Sequence, residues 1–364
     1  MSDTHPTVTA SRRPTRRVTL RDPRGAETVI GGDSPVRVQS MTTTVTGDFQ
    51  ATAEQIMALA SAGAELVRVT VNDDAAADAL PQLVRFSNVP LVADIHYQHD
   101  LALRSIDAGI AKLRINPGNI GSRDKVETVV KAARDAGVPI RVGVNKGSLH
   151  RRYEEMAKAD PAGALVQSAL DELEVFEKLG YRDVLVSLKS SDPREVIEAC
   201  RRFAALSDVP QHLGVTEAGT LAAGIARSCT AMGVLLAEGI GDTIRISLAD
   251  DPVYEVNAAF HMLQALGLRE GKARVVACPT CGRVEVDVVA LATKVEELAK
   301  DLPGDRVISV LGCIVNGPGE AKAADLGIAA GRSKVAIYRK GELVRQVGKE
   351  ELDAVLAEEI DRLR

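Results

Sequence analysis

A chain of 364 residues with 45% apolar and 26% charged residues is long for one hydrophobic core and predicts two soluble globular domains. The net charge of −5 argues against a general nucleic-acid surface, and no stretch approaches the ~20 apolar residues of a membrane span. Five cysteines, an odd number in a chain this long, read as reduced thiols or metal ligands and not as a disulfide framework, so a cytoplasmic location is expected.

The first segment, with Arg12, Arg13, Arg16 and Arg17, is basic, and no apolar run follows it. That is not the pattern of a secretory signal, and a solvated arm is expected. Short apolar runs follow at 36–41, 66–70, 91–95, 112–115, 140–144, 184–188, 212–215 and 243–248. Between them lie segments of helical period. Thr52 with Gln55 reads as a capping box opening a helix with Ile56 and Leu59 on one face. A second helix begins near Ser122, carries Val126, Val129, Val130 and Ala133 on its stripe, and stops at Gly137. Asp192-Pro193-Arg194-Glu195 gives a cap, a proline at the first helical position and an acid at the third.

With only 3% aromatics and no Trp, the core must be built from aliphatic residues, which suits a parallel sheet covered on both faces. Eight strand–helix units over roughly 250 residues predict a (β/α)₈ TIM-type barrel at 1–270, with a doubly wound sheet as the alternative. The long stretch 146–182 predicts an extra excursion above the barrel. Beyond residue 270 the pattern becomes that of a smaller α+β domain, 271–364. Cys278 and Cys281 sit in a turn, and a helix with Val288, Leu291, Ala292 and Val295 follows. A strand at 307–311 leads into a Gly/Pro-rich loop at 312–319. Another strand near 326–330, a hairpin turning at Lys340-Gly341 and a helix from about Lys349 complete the chain.

In such a barrel, chemistry belongs at the C-terminal ends of the strands. Those ends carry Gln39-Ser40-Met41-Thr42, Arg68, Asp94-Ile95-His96, Arg114-Ile115-Asn116, Arg141 with Asn145, Ser187-Leu188-Lys189, Gly214-Val215-Thr216-Glu217, and Arg245 with Ser247. Arg68, Arg114, Arg141 and Lys189, at equivalent positions, suit a multiply charged anion such as a diphosphate. Asp94 and Glu217 fit better as hydroxyl acceptors or proton donors beside it. Each arginine alone reads equally well as an ion-pair partner, and Arg68 and Arg114 can pair with Asp94 inside the barrel. His96 and His212 are weak signals individually.

Cys278-Pro279-Thr280-Cys281 offers two thiols on one turn, and Cys313 follows in a glycine-rich loop. A closed zinc site needs four ligands, and a four-iron cluster usually takes four cysteines. Three leave one iron free or held by an exchangeable oxygen ligand, which Glu320 can supply as a Lewis-acid site opens. Cys200 and Cys229 fall on apolar helix stripes and read as small core residues. A redox disulfide between Cys278 and Cys281 is the rival; the sequence lacks a strand before the pair and the rival leaves Cys313 and Glu320 unexplained.

These segments, together with 113–119, 143–149 and 212–219, resemble the 4-hydroxy-3-methylbut-2-en-1-yl diphosphate synthase family of isoprenoid biosynthesis over residues 37 to 320. The resemblance implies a [4Fe–4S] cluster on Cys278, Cys281 and Cys313 with Glu320 as displaceable fourth ligand. It implies reductive opening of 2-C-methyl-D-erythritol 2,4-cyclodiphosphate by two electrons from ferredoxin or flavodoxin. Arg68, Arg114, Arg141 and Lys189 are then diphosphate ligands, and Asp94, Asn145, Glu217 and Ser247 contact the sugar-derived part. His96, Asn116, Thr216 and Arg245 are further substrate-binding candidates, and Glu217 and Glu320 the catalytic ones. The family also implies a homodimer in which each cluster domain closes over the partner's barrel. Two other readings stay open: a zinc-containing barrel synthase, and an iron–sulfur carrier or sensor without turnover.

Overall fold

The computed structural model describes residues 10–22, 24–116, 120, 123–270, 273–304, 306–313 and 317–364. Two units partition the chain, residues 1–269 and 270–364. No helix among the described residues is long and apolar enough to cross a membrane.

The first unit opens with an antiparallel hairpin, β1 (Val18–Arg21) and β2 (Glu27–Ile30). Eight parallel strands follow: β3 (Arg37–Met41), β4 (Leu66–Thr70), β5 (Leu91–Asp94), β6 (Lys112–Ile115), β7 (Ile140–Asn145), β8 (Val184–Lys189), β9 (His212–Leu213) and β10 (Thr243–Ile244). Their order is β8-β7-β6-β5-β4-β3-β10-β9. A parallel bridge from Val186 to Gln211, beside β9, joins the two ends and makes the sheet a ring. That closure selects the (β/α)₈ barrel over the doubly wound sheet. Outward-facing residues such as Val67, Ala93, Leu113, Val142, Val186 and Ile244 pack on the surrounding helices as one core.

Local chemistry places the helices. Asp192 accepts from Arg194 N at 2.9 Å and Pro193 starts the helix Pro193–Leu206 as expected. The helix Arg123–Ala136 ends at Gly137, whose φ of 65° suits glycine; Pro117–Asn119 and Ser122 lie outside the described residues. The Thr52–Gln55 capping box is corrected. The cap of Phe49–Ala62 is Asp48, which accepts from Ala51 N, and Thr52 instead donates to Val45 O at 3.1 Å. Gln55 folds back on the preceding loop, accepting from Thr43 N at 2.7 Å. The excursion after β7 is two 3₁₀ turns and the short helix Glu154–Ala159, before the barrel helix Pro161–Lys178.

The basic arm is not free in solvent but docks on the barrel, although Arg17 stays exposed. Arg12 pairs with buried Asp242 at 2.8 Å, Arg13 donates to Ala204 O and Val209 O, and Arg16 pairs with Asp208. The Arg13 guanidinium thus satisfies carbonyls left open where the helix Pro193–Leu206 ends, a need that the arm's own composition cannot reveal. The arm leads into the hairpin, whose Val18, Leu20 and Ile30 form a closed apolar layer with Leu66, Val92, Ala111 and Leu185. The hairpin therefore plugs the end of the barrel opposite the strand C-termini. Leu20→Ala is expected to destabilise the barrel by about 2–5 kcal/mol, measured by urea unfolding. A loss under about 0.5 kcal/mol, the size of an ordinary surface effect, would mean the plug carries no core.

The second unit is a five-stranded sheet in the order β11 (Arg274–Ala277), β12 (Val307–Leu311), β13 (Leu326–Ala330), β14 (Lys334–Arg339) and β15 (Glu342–Gly348). The first three are parallel and the last two antiparallel. Helices Val288–Ala299 and Leu352–Asp361 cover one face, burying Val295, Ile308, Val310, Ile328, Ile337 and Leu356 together. The hairpin turns at Lys340 (φ 46°) and Gly341 (φ 83°), as expected. Strand β11 corrects one expectation: a strand does precede Cys278, and its half-exposed edge position explains its weak apolar signal.

Candidate active site

Side chains alternate along a strand, and here the alternation sends a polar set inward and an aliphatic set outward. Above the hairpin plug, the interior holds Gln39, Lys112, Arg141 and His212, all almost fully buried. Above these, the strand ends open into a cleft of about 110 Å³ lined by Arg68, Asp94, His96, Arg114, Arg141, Asn145, Ser187, Lys189, Thr216, Arg245 and Ser247. Register aligns Asp94 with Arg114 and Arg114 with Arg141, and Asn145 with Lys189, so neighbouring strands present these groups at matched heights.

The cations are not equivalent. Asp94 accepts from Arg114 Nη1 at 3.0 Å and lies 3.6 Å from Arg68 Nε. Arg245 is held by Glu255 through Nε and Nη2, at 3.1 and 3.0 Å. Among the described residues no carboxylate pairs with Arg141 or Lys189, and Arg141 Nε and Nη1 are buried without a hydrogen-bond partner. Two glycines make room for the donors. A Cβ on Gly143 would lie 2.6 Å from Arg114 Nε, and one on Gly214 would lie 3.0 Å from Lys189 Nζ.

Among the described residues, six buried or nearly buried cations (Arg68, Lys112, Arg114, Arg141, Lys189, Arg245) thus face two carboxylates, Asp94 and Glu255. Burial alone would raise the Asp94 carboxyl, but Arg68 and Arg114 hold it below the usual carboxylate range. Burial and the neighbouring cations push Arg68 down to about 10 and hold Arg141 and Lys189 well below their ordinary values. A bound anion would offset that electrostatic penalty, so the charge of the cleft suits an anionic ligand.

A pH dependence follows for Lys189. Its folded-state value is lowered, so its charge, and with it anion affinity, is present at low pH and lost as pH rises below the ordinary lysine range. Affinity for inorganic diphosphate is expected to fall with rising pH more steeply in the native chain than in Lys189→Arg, by calorimetry. Parallel curves would exclude Lys189 as the titrating group.

In the second unit, β11 and β12 run parallel, and Cys278 and Gly312-Cys313 follow directly on their ends. Cys278 Sγ accepts from Gly312 N at 3.2 Å. A Cβ on Gly312 would meet Val288 at 2.3 Å, so glycine lets the two cysteine segments close on each other. Hydrogen bonds from the Arg283 backbone and side chain lower the Cys281 thiol, and the same guanidinium feels Cys313. Glu320 is exposed at the end of the short helix Gly317–Glu320; residues 314–316 between it and Cys313 are outside the described ones. Among the described residues no three His, Cys, Asp or Glu side chains converge to hold a single metal ion. Cys200 is fully buried, its thiol pushed up to about 12 by burial, and Cys229 packs half-buried on the barrel core.

Family models match both units: one described as the GcpE TIM-barrel domain over residues 22–260, the other as the GcpE protein C-terminal domain over 274–362. This chain belongs to the GcpE family. It is 48% identical over 334 residues to the 4-hydroxy-3-methylbut-2-en-1-yl diphosphate synthase (flavodoxin) of Geobacillus thermodenitrificans, covering 92% of this chain and 89% of that one. Its identity to the Bacillus subtilis protein of the same name is 46% over 349 residues, 96% and 93% of the two chains. The barrel is similar in fold to dihydropteroate synthase of Xanthomonas albilineans, with a TM-score of 0.50 at 16% identity over 69% of this chain and 99% of that one. The Yersinia pestis dihydropteroate synthase gives a TM-score of 0.50 at 13% identity, covering 70% and 100%. At such identities the likeness concerns fold alone.

Within this GcpE-family barrel, ten of the residues expected at the mouth line the cleft together: Arg68, Asp94, His96, Arg114, Arg141, Asn145, Lys189, Thr216, Arg245 and Ser247. Asn116 and Glu217 are not on its walls. Glu217 follows Thr216 in left-handed backbone (φ 52°), a conformation costing a non-glycine residue on the order of 1 kcal/mol. Ser187 also lines the cleft; its spacing of two from Lys189 puts both on one face of the strand. Met41 also belongs to the mouth, its Sδ 3.0 Å from Arg68 Nε and 3.5 Å from Arg245 Nη1. Glu255 gave no signal, since an acid on a barrel helix ordinarily faces water.

Proposed function

We propose that this GcpE-family chain reductively opens 2-C-methyl-D-erythritol 2,4-cyclodiphosphate and dehydrates it to 4-hydroxy-3-methylbut-2-enyl diphosphate in isoprenoid precursor synthesis. The net reaction takes up two electrons and two protons and releases one water. The observation carrying this reading is the unpaired Arg141–Lys189 seat in the barrel cleft, on a chain whose relatives are named for that product.

Arg141 and Lys189 grip the phosphates, while Arg68 and Arg114 add donors from positions fixed by Asp94. Asp94, Asn145, Glu217 and Ser247 serve the sugar-derived part, with His96, Asn116, Thr216 and Arg245 beside them. Glu217 is the proton-transfer candidate on the barrel. The donor set in the second unit suits an iron–sulfur cluster. Cys278 and Cys313 follow the ends of two adjacent strands, and Cys281 lies on the exposed turn after Cys278. Cys278 accepts a backbone N–H, and Cys281 is drawn toward its thiolate by Arg283. Cys278, Cys281 and Cys313 would hold a [4Fe–4S] cluster, with Glu320 as its displaceable fourth ligand. When bound, such a cluster supplies electrons one at a time.

Flavodoxin is the proposed electron donor, following the relatives' names, and the cytoplasm the proposed location. Calorimetry on the cluster-free chain tests the barrel half. The cyclodiphosphate is expected to bind, and a complete lack of binding would remove the proposed substrate. The homodimer is tested by mixing Arg141→Ala with Cys313→Ser chains. If the units cooperate across a dimer, subunit exchange restores about a quarter of native activity; no recovery after confirmed exchange would contradict that arrangement.

A further inference from the structure

Glu255 stands on the helix Pro252–Ala265, outside the cleft, and is only 2% exposed. Its carboxylate has four hydrogen bonds. Arg245 donates to it through Nε and Nη2, Ser40 Oγ donates at 3.0 Å, and Leu248 N donates at 3.0 Å. These partners come from the ends of β3 and β10 and from the loop carrying Ser247. One buried carboxylate thus ties two strand ends to the loop that follows them. Two of the five guanidinium N–H groups of Arg245 are committed to it, and Nη1 points toward Met41 Sδ. Arg245 lines the same cleft as Arg141 and Lys189, yet its charge is already answered.

We infer that Glu255 is a positioning and specificity residue for the proposed reaction: it withholds Arg245 from the phosphate seat and fixes Arg245 and Ser247 for the remainder of the substrate. The inference rests on the proposed substrate in its second half only. Withholding is electrostatic and is readable with a simple anion. Removing the carboxylate frees a guanidinium and deletes a negative charge beside an anion site, so simple polyanions should bind more tightly. Placement of the real substrate should suffer at the same time.

The test compares the full native chain, Glu255→Gln, Arg245→Met and the double variant, each checked for folding by circular dichroism. Inorganic diphosphate binding is read by calorimetry, and cyclodiphosphate turnover on the cluster-loaded enzyme. Glu255→Gln should bind diphosphate at least about threefold more tightly and lose about tenfold in kcat/KM. Arg245→Met, which strands the carboxylate, should weaken diphosphate binding by at least about threefold, and the double variant should return to within about twofold of native. A loosened fold would instead weaken both readouts together, and that outcome, or an unchanged Glu255→Gln, overturns the inference. If Glu255→Gln fails to fold, the comparison of Arg245→Met with the double variant decides, equal affinities overturning it. Should the native enzyme not turn over the cyclodiphosphate, the functional reading fails while the diphosphate arm still judges Glu255.

Discussion

Arg141→Met is expected to stabilise the ligand-free chain while nearly abolishing anion binding. Arg141 is buried to 1% exposure, two of its guanidinium nitrogens lack partners, and Lys189, Lys112 and Arg68 share its surroundings. A buried charge without a partner costs stability, so an apolar side chain of similar length should raise unfolding free energy by about 1–3 kcal/mol. The same change removes the seat's central donor. Loss of a desolvated charge pair costs roughly 3–5 kcal/mol, or about two to four orders of magnitude in affinity. Urea unfolding and calorimetry with diphosphate check the two halves. A variant that binds as well as the native chain, or that is less stable without ligand, would contradict the assignment of Arg141 as an uncompensated anion ligand.

Cys313→Ser is expected to reduce iron in anaerobically reconstituted protein from about four atoms per chain to fewer than one. The serine hydroxyl does not ionise near neutral pH and its oxygen is a harder donor, so it is a much poorer ligand for the cluster iron than a thiolate. Cys313 is buried just beyond β12, but serine nearly matches its size and Cys313 belongs to none of the second unit's packed apolar clusters, so the fold should persist. Cys229→Ser is the control, because that thiol packs half-buried on the barrel core, and it should retain all the iron. Iron and sulfide analysis with visible absorption reads both variants. Full iron in Cys313→Ser, or its loss in Cys229→Ser, would mean that the cysteines were wrongly sorted.

The barrel was legible because its outward face is continuously aliphatic and its strands end in chemistry-bearing residues. Residues such as Val67, Leu113 and Val142 fix the outward face, and period two then sends Arg68, Arg114 and Arg141 inward. Less legible were features whose meaning depends on distant chain. Arg12 and Arg13 look like a solvated arm until Asp242 and the carbonyls near residue 207 are brought beneath them. Thr52 has the form of a cap, yet Asp48 four residues earlier takes that role. Glu255 is invisible because helical position alone does not tell a buried acid from a solvated one; only Arg245 and Ser40, 10 and 215 residues away, give it meaning. The unequal pairing of the cations also emerges only in three dimensions, since it depends on which carboxylate reaches which guanidinium.

The most direct test is anaerobic turnover of 2-C-methyl-D-erythritol 2,4-cyclodiphosphate by the cluster-loaded enzyme with reduced flavodoxin, counting electrons consumed against product. Formation of 4-hydroxy-3-methylbut-2-enyl diphosphate at two electrons per molecule is the predicted result. Iron-replete, folded protein that binds the cyclodiphosphate but neither consumes electrons nor forms that product would contradict the account.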